Sequence, residues 1–173
     1  MIRAYIKTIV YSNKDPLEIL CQLHHLFEND LPRKMFVTAS IATIDLKSKR
    51  LHICRAGHTY LIHYSKKKNT SKLIGGKGIM IGVATTEIFK ARLEKTTIDL
   101  EIGDVLMMYT DGLSEARNGR NELFGDERLA ECIAHFASHT SQEILQEVQK
   151  SILSFGGSEG IMDDMCAIVT KVK

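Results

Sequence analysis

Between Phe36 and Asp111 the chain is cut into short apolar and β-branched runs joined by tight polar turns, and that texture limits the fold more than any other feature. Phe36 to Leu46 reads as a strand closed by the turn Lys47-Ser48-Lys49-Arg50. Leu51 to Arg55 and Thr59 to Tyr64 follow, split by Ala56-Gly57-His58. Ser65 to Thr70 is a basic hairpin tip whose lysines read as solvated charge. Ile88 to Leu100 alternates in the manner of a strand through Phe89, Ala91, Leu93 and Ile98, and Glu101-Ile102-Gly103-Asp104 turns into the run Val105-Leu106-Met107-Met108. A last strand is expected over Met165 to Val169. About six strands linked by turns favour a mostly antiparallel sheet in an α+β domain over a βαβ design.

Helical spacing appears at the two ends. Ile2 to Tyr11 carries Ile2, Tyr5, Ile6, Ile9 and Val10 on one face. Asp15-Pro16-Leu17-Glu18 offers an N-cap, a proline at the first helical position and a capping-box glutamate. Leu17, Leu20, Cys21, Leu23 and Phe27 make the buried face of that helix, and Asn29-Asp30-Leu31-Pro32 stops it. After the turn Asn118-Gly119-Arg120-Asn121, helices are expected over Asp126 to Ala137 and Ser141 to Phe155. A glycine-rich loop from Gly156 to Gly160 then leads to the last strand.

With 173 residues the chain suits one domain, and 44% hydrophobic with 25% charged residues is globular composition. A net charge of +2 gives no reason to expect nucleic acid or a membrane surface as partner. No apolar run approaches the roughly 18–20 residues of a membrane span, and Met1-Ile2-Arg3-Ala4-Tyr5 lacks the layout of a signal peptide. Cys21, Cys54, Cys132 and Cys166 form no C-x-x-C pair, so they read as buried free thiols in a reducing cytoplasm.

The chemistry sits at two strand ends. Tyr109-Thr110-Asp111-Gly112 closes the run Val105 to Met108 on a carboxylate and a glycine, and Asp163-Asp164 stands just before Met165-Cys166-Ala167-Ile168-Val169. Carboxylates at rigid strand ends suit magnesium or manganese, hard cations that prefer oxygen ligands and retain water. Asp111-Gly112 alone is equally an ordinary turn, and Asp163-Asp164 alone reads more readily as one, since paired acidic turns are common. His58 reads either as a ligand or general acid, or as a structural residue bonded to a neighbouring loop. His24-His25 reads as a surface or helix-cap pair. Gly75 to Gly82 lacks the Lys-Ser/Thr ending of a P-loop and reads as a flap or a surface loop. The methionines at 107, 108, 162 and 165 read as core filler.

Taken in order, Phe36-Val37-Thr38, Arg55-Ala56-Gly57-His58, Gly78-Ile79-Met80-Ile81-Gly82, Glu101-Ile102-Gly103-Asp104, Tyr109 to Ala116, Phe124-Gly125 and Asp163-Asp164-Met165 form a set. This set resembles the sporulation-stage-II-E type of serine/threonine phosphatase, a branch of the metal-dependent type-2C-like family. The resemblance implies an α-β-β-α sandwich with mostly antiparallel sheets, its N-terminal strands missing, over a single phosphatase-like domain at 1–173. It implies that Asp111 ligates manganese or magnesium with Gly112 setting its loop. Asp163 is then the matching ligand, and Asp164 a supporting or alternative one. It implies hydrolysis of a phosphorylated regulatory protein, such as an anti-sigma-factor antagonist, by activated water. Cys166 stands where the family usually has threonine or serine, which weakens the expected support of Asp163. The family's Asp-x-x-Gly-His-Gly segment is not among these 173 residues, so weak or no activity is expected of the chain as a truncated member. The alternative is a binding module that keeps the phosphatase fold and engages a regulatory partner or a second copy of itself.

Overall fold

The computed structural model describes residues 2–28, 35–156 and 163–173. The helix stop expected at Asn29-Asp30-Leu31-Pro32, the loop at 157–160 and Met162 lie outside the described residues. The chain divides into two compact units, Met1–His58 with Gly75–Asp99, and Thr59–Ile74 with Leu100–Lys173.

The first unit holds α1 (Ile2–Ser12), α2 (Pro16–Glu28), β1 (Ala39–Asp45), β2 (Arg50–Ala56), α3 (Thr86–Arg92) and β5 (Lys95–Asp99). Its sheet runs β1-β2-β5, antiparallel throughout. Asp15 caps α2 as its sequence implies, its Oδ1 accepting the amides of Leu17 at 2.9 Å and Glu18 at 3.3 Å. Glu18 forms an ion pair with Lys90 at 3.2 Å. Ile19, Leu20, Leu23 and Phe27 are buried against Cys54, Ala56, Ile81, Phe89 and Leu93. Burial pushes the Cys54 thiol up to about 11, so it packs as an inert apolar group.

Two expectations are corrected here. Ile88 to Leu100 is not one strand: α3 occupies Thr86–Arg92 and only Lys95–Asp99 is extended. Phe89 and Leu93 are buried while Ala91 is exposed. The four-residue spacing of the first two won over the two-residue alternation that includes the third. His24 is not on the surface, although His25 is exposed. Its ring is fully buried, stacked on Phe89 with centroids 4.0 Å apart and planes at 11°. His24 Nδ1 accepts the Gly82 amide at 3.4 Å, while Nε2 is buried without a hydrogen-bond partner among the described residues.

Burial holds His24 below the usual histidine range, opposed by the charge of Glu28 and the backbone at Ala84. The unfolded chain therefore binds a proton more readily than the folded one. His24 costs nothing well above pH 6.5, and stability falls as pH drops below that value toward the lowered folded pKa. Urea denaturation between pH 7.5 and 5 should show this loss, with a slope of at most about 1.4 kcal/mol per pH unit. The profile of His24→Leu should be flatter, and an unchanged slope in that variant would refute the assignment.

The second unit holds β3 (Leu61–Ser65), β4 (Thr70–Ile74), β6 (Val105–Tyr109), α4 (Asp111–Ser114), α5 (Gly125–Phe136), α6 (Ser141–Gly156) and β7 (Ala167–Lys171). The sheet order is β4-β3-β6-β7, again antiparallel throughout. Leu129 and Ile133 on α5, and Ile144, Val148 and Ile152 on α6, pack over Ile62, Tyr64, Val105, Met107 and Tyr109. Thr140 and Glu143 form a capping box at the start of α6, with bonds of 2.8 and 3.3 Å. Lys171 Nζ donates to the carbonyls of Ala137, Ser138 and His139 at 2.8, 3.1 and 2.7 Å, closing the end of α5.

Asp104 is the buried polar hub of this unit. Its carboxylate accepts His63 Nε2 at 2.9 Å and the amides of Lys66 at 2.9 Å and Glu101 at 3.1 Å. The Glu101-Ile102-Gly103-Asp104 block thus anchors the entry to β6 to the β3–β4 hairpin. Met107 is buried, whereas Met108 is half-buried. The thiols are also less uniform than expected: Cys21 and Cys54 are buried, Cys132 is half-buried and Cys166 is exposed.

Candidate metal centre

The register of β6 and β7 decides which residues meet. Tyr109 pairs with Ala167, and the next antiparallel step places Thr110 opposite Cys166, where the Thr110 amide donates to the Cys166 carbonyl at 2.9 Å. The C-terminal end of β6 therefore lies beside the N-terminal approach to β7. Two acidic segments some fifty residues apart in sequence become neighbours for that reason.

Beyond this step the chains diverge but stay tied. Thr110 Oγ1 donates to the Asp164 carbonyl at 3.0 Å and accepts the Cys166 amide at 2.9 Å. Gly112 lies so close to the second segment that a Cβ built on it would stand 2.6 Å from the Asp164 carbonyl oxygen and 3.2 Å from that of Asp163. Asp111 opens the single turn of α4, its carbonyl accepting the Glu115 amide at 2.7 Å and the Ser114 hydroxyl at 3.3 Å. Asp163 Oδ1 accepts the amide of Asp164 at 2.7 Å, which fixes one oxygen of that carboxylate against its own backbone. Asp111, Asp163 and Asp164 are all exposed.

The structure thus brings Asp111, Gly112, Asp163 and Asp164 to one junction. His58 belongs to the other unit, in a turn where Arg55 donates from Nε to the Gly76 carbonyl at 3.0 Å and from Nη1 to the His58 carbonyl. Thr110 was not singled out from the sequence. A threonine at a strand end is ordinary, and nothing in its neighbours shows that its hydroxyl crosses to another segment. Cys166 takes part through its backbone, with its thiol exposed.

Among the described residues, no group of three or more His, Cys, Asp or Glu side chains is arranged to hold a metal ion. That excludes a closed zinc-type set of nitrogen and sulfur ligands from them. The junction fits a different cation. Its donors are carboxylate oxygens on exposed backbone, and magnesium is commonly held by one or two carboxylates while keeping its waters. Gly112 lets the two segments approach, since a Cβ there would collide with the Asp164 carbonyl.

The sequence model of the Stage II sporulation protein E (SpoIIE) family matches residues 1–173. Phosphoserine phosphatase RsbU of Bacillus subtilis is 24% identical over 173 residues, which is 100% of this chain and 50% of that protein. The SiaA-PP2C domain of Pseudomonas aeruginosa superposes with a TM-score of 0.82 at 18% identity, covering 99% of this chain and 66% of that one. The manganese-presoaked phosphatase domain of the cell-fate determinant SpoIIE from Bacillus subtilis superposes with a TM-score of 0.67 at 18% identity, covering 99% and 73%. The chain spans half or less of the length of the curated relatives it matches. These likenesses establish an α+β fold of the type-2C phosphatase class, with antiparallel sheets. The chain belongs to the SpoIIE family.

Proposed function

We propose that this member of the SpoIIE family is a phosphatase-like catalytic domain, over residues 1–173, acting on phosphoserine or phosphothreonine in a regulatory protein. The observation that carries the reading is the junction itself. Two separated acidic segments are held within backbone contact by Thr110 and Gly112, on a chain matched throughout by the family. Asp111 and Asp163 would hold manganese or magnesium, with Asp164 beside them and Gly112 allowing the close approach. A bound cation of this kind supplies positive charge against phosphoryl oxygens and eases the deprotonation of water. The chain's own share is to fix the carboxylates. The amide of Asp164 orients Asp163, and the first turn of α4 starts at Asp111. The substrate class, a phosphorylated regulator such as an anti-sigma-factor antagonist, follows from the family resemblance, and likeness to RsbU, a phosphoserine phosphatase, supports phosphoserine as the group removed.

A second reading is a phosphatase-fold binding module for a regulatory protein or a second copy of the chain. Cys166, standing where the family usually has threonine or serine, favours it. A phosphoserine peptide and p-nitrophenyl phosphate, each assayed with manganese and with EDTA, separate the two. Weak manganese-dependent phosphate release that EDTA abolishes is the expected result. No release, together with no calorimetric manganese binding, would overturn the catalytic reading in favour of the module. Two-site manganese binding would overturn the module.

A further inference from the structure

We propose that Thr110 is the positioning residue of the acidic junction, setting cation affinity through a hydroxyl bridge between the two segments; this rests on the metal reading above. A threonine hydroxyl has one proton to give and lone pairs to receive. Here it gives to the Asp164 carbonyl at 3.0 Å and receives from the Cys166 amide at 2.9 Å. With the Thr110 amide on the Cys166 carbonyl at 2.9 Å, and a longer hydroxyl contact to the same carbonyl at 3.4 Å, one residue makes four contacts across the gap.

The bridge lies one step past the last ladder pair, Tyr109 with Ala167, where the hydroxyl adds to the backbone bond from the Thr110 amide to the Cys166 carbonyl. Asp111 follows Thr110 directly and Asp163 precedes Asp164 directly, so the bridge binds the immediate backbone neighbour of each candidate ligand. Loss of the hydroxyl would leave the Asp164 carbonyl and the Cys166 amide without that partner. The two loops would then spread over more conformations, and a cation would have to order them on binding. The support expected from the residue at position 166 is, on this geometry, delivered by position 110 to the backbone of 164 and 166.

A bland role for Thr110 as a β-branched strand residue gives the opposite pattern of substitutions. Valine keeps the shape and β-branching but loses the hydroxyl, whereas serine keeps the hydroxyl and loses the methyl group. Manganese chloride is titrated into the full chain by calorimetry for wild type, Thr110→Val, Thr110→Ser and Tyr109→Phe. The last variant removes a neighbouring bond, Tyr109 Oη to Asp126 Oδ1 at 2.7 Å, that does not reach the Asp163–Cys166 segment.

Thr110→Val is expected to weaken binding by about 10–100-fold, the scale for groups that orient metal ligands. Thr110→Ser and Tyr109→Phe should remain close to wild type. Hydrogen exchange at the Cys166 amide, measured without metal, should speed up in Thr110→Val and stay slow in Thr110→Ser. Wild-type affinity in Thr110→Val overturns the assignment. So does equal weakening in Thr110→Ser, or in Tyr109→Phe, which would mark a general stability effect. Failure of the wild-type chain to bind manganese overturns the metal reading itself, a result distinct from these.

Discussion

Gly78→Ala should be among the most damaging single substitutions in this chain, although Gly78 lies far in sequence from the acidic junction. A Cβ built there stands 1.8 Å from the Arg55 carbonyl oxygen, 2.9 Å from its carbon and 3.3 Å from Leu93 Cδ2. The first two are backbone atoms at the end of β2, so no rotamer change relieves the contact. Gly78 has no left-handed backbone, so the effect is one of space alone. The loop must move away from β2, which strains the Arg55 bonds to the Gly76 and His58 carbonyls. Overpacking against a fixed backbone points to a loss of about 3 kcal/mol or more. In a chain of this size that lowers Tm by roughly 6–12 °C. Gly119→Ala is the matched control, since nothing lies within 4 Å of its Cβ and its φ is not left-handed. Its Tm should stay near wild type or rise slightly through reduced freedom of the unfolded chain. Equal Tm values for the two variants would refute the close-approach account of the glycine loop.

That loop shows where sequence reasoning reached its limit. The reason for the glycines was not visible, because Gly76 and Gly78 are shaped by Glu94 and Arg55, partners on other segments. The same holds for His24, whose burial depends on Phe89 of α3, a helix hidden by the alternation of Phe89, Ala91 and Leu93. β4 went unread because Thr70-Ser71-Lys72-Leu73-Ile74 is half polar and sits at a sheet edge. The α2 cap, both C-terminal helices and the antiparallel pairing were legible because each rests on local chemistry: Asp15, the four-residue spacing of Ile144, Val148 and Ile152, and short turns. The two acidic strand ends were legible as strand ends. Their meeting was expected through the family resemblance and not from local chemistry, because it depends on β6 and β7 being neighbours in register.

Asp111→Asn should separate chemistry from stability at that meeting point. Asparagine keeps the size and the backbone of aspartate, and the fold uses Asp111 through its carbonyl, which holds Glu115 and Ser114 in the turn of α4. The side chain is exposed, so its replacement leaves no buried group unpaired. Tm should therefore stay within about 2 °C of wild type. The loss falls on a full negative charge and a hard oxygen donor, which a neutral amide oxygen replaces poorly for magnesium or manganese. Groups that merely orient metal ligands cost about 10–100-fold, so removal of a direct ligand should lower manganese affinity and phosphate release by at least about 100-fold. Glu115→Gln, which removes an exposed carboxylate just past the same helical turn, should leave both unchanged and so exclude a general effect of local charge. Calorimetric titration, the phosphopeptide assay and thermal unfolding on one preparation of each variant decide the matter. Wild-type manganese affinity in Asp111→Asn would remove Asp111 from the centre. A Tm that falls in step with activity would make it a structural residue of α4.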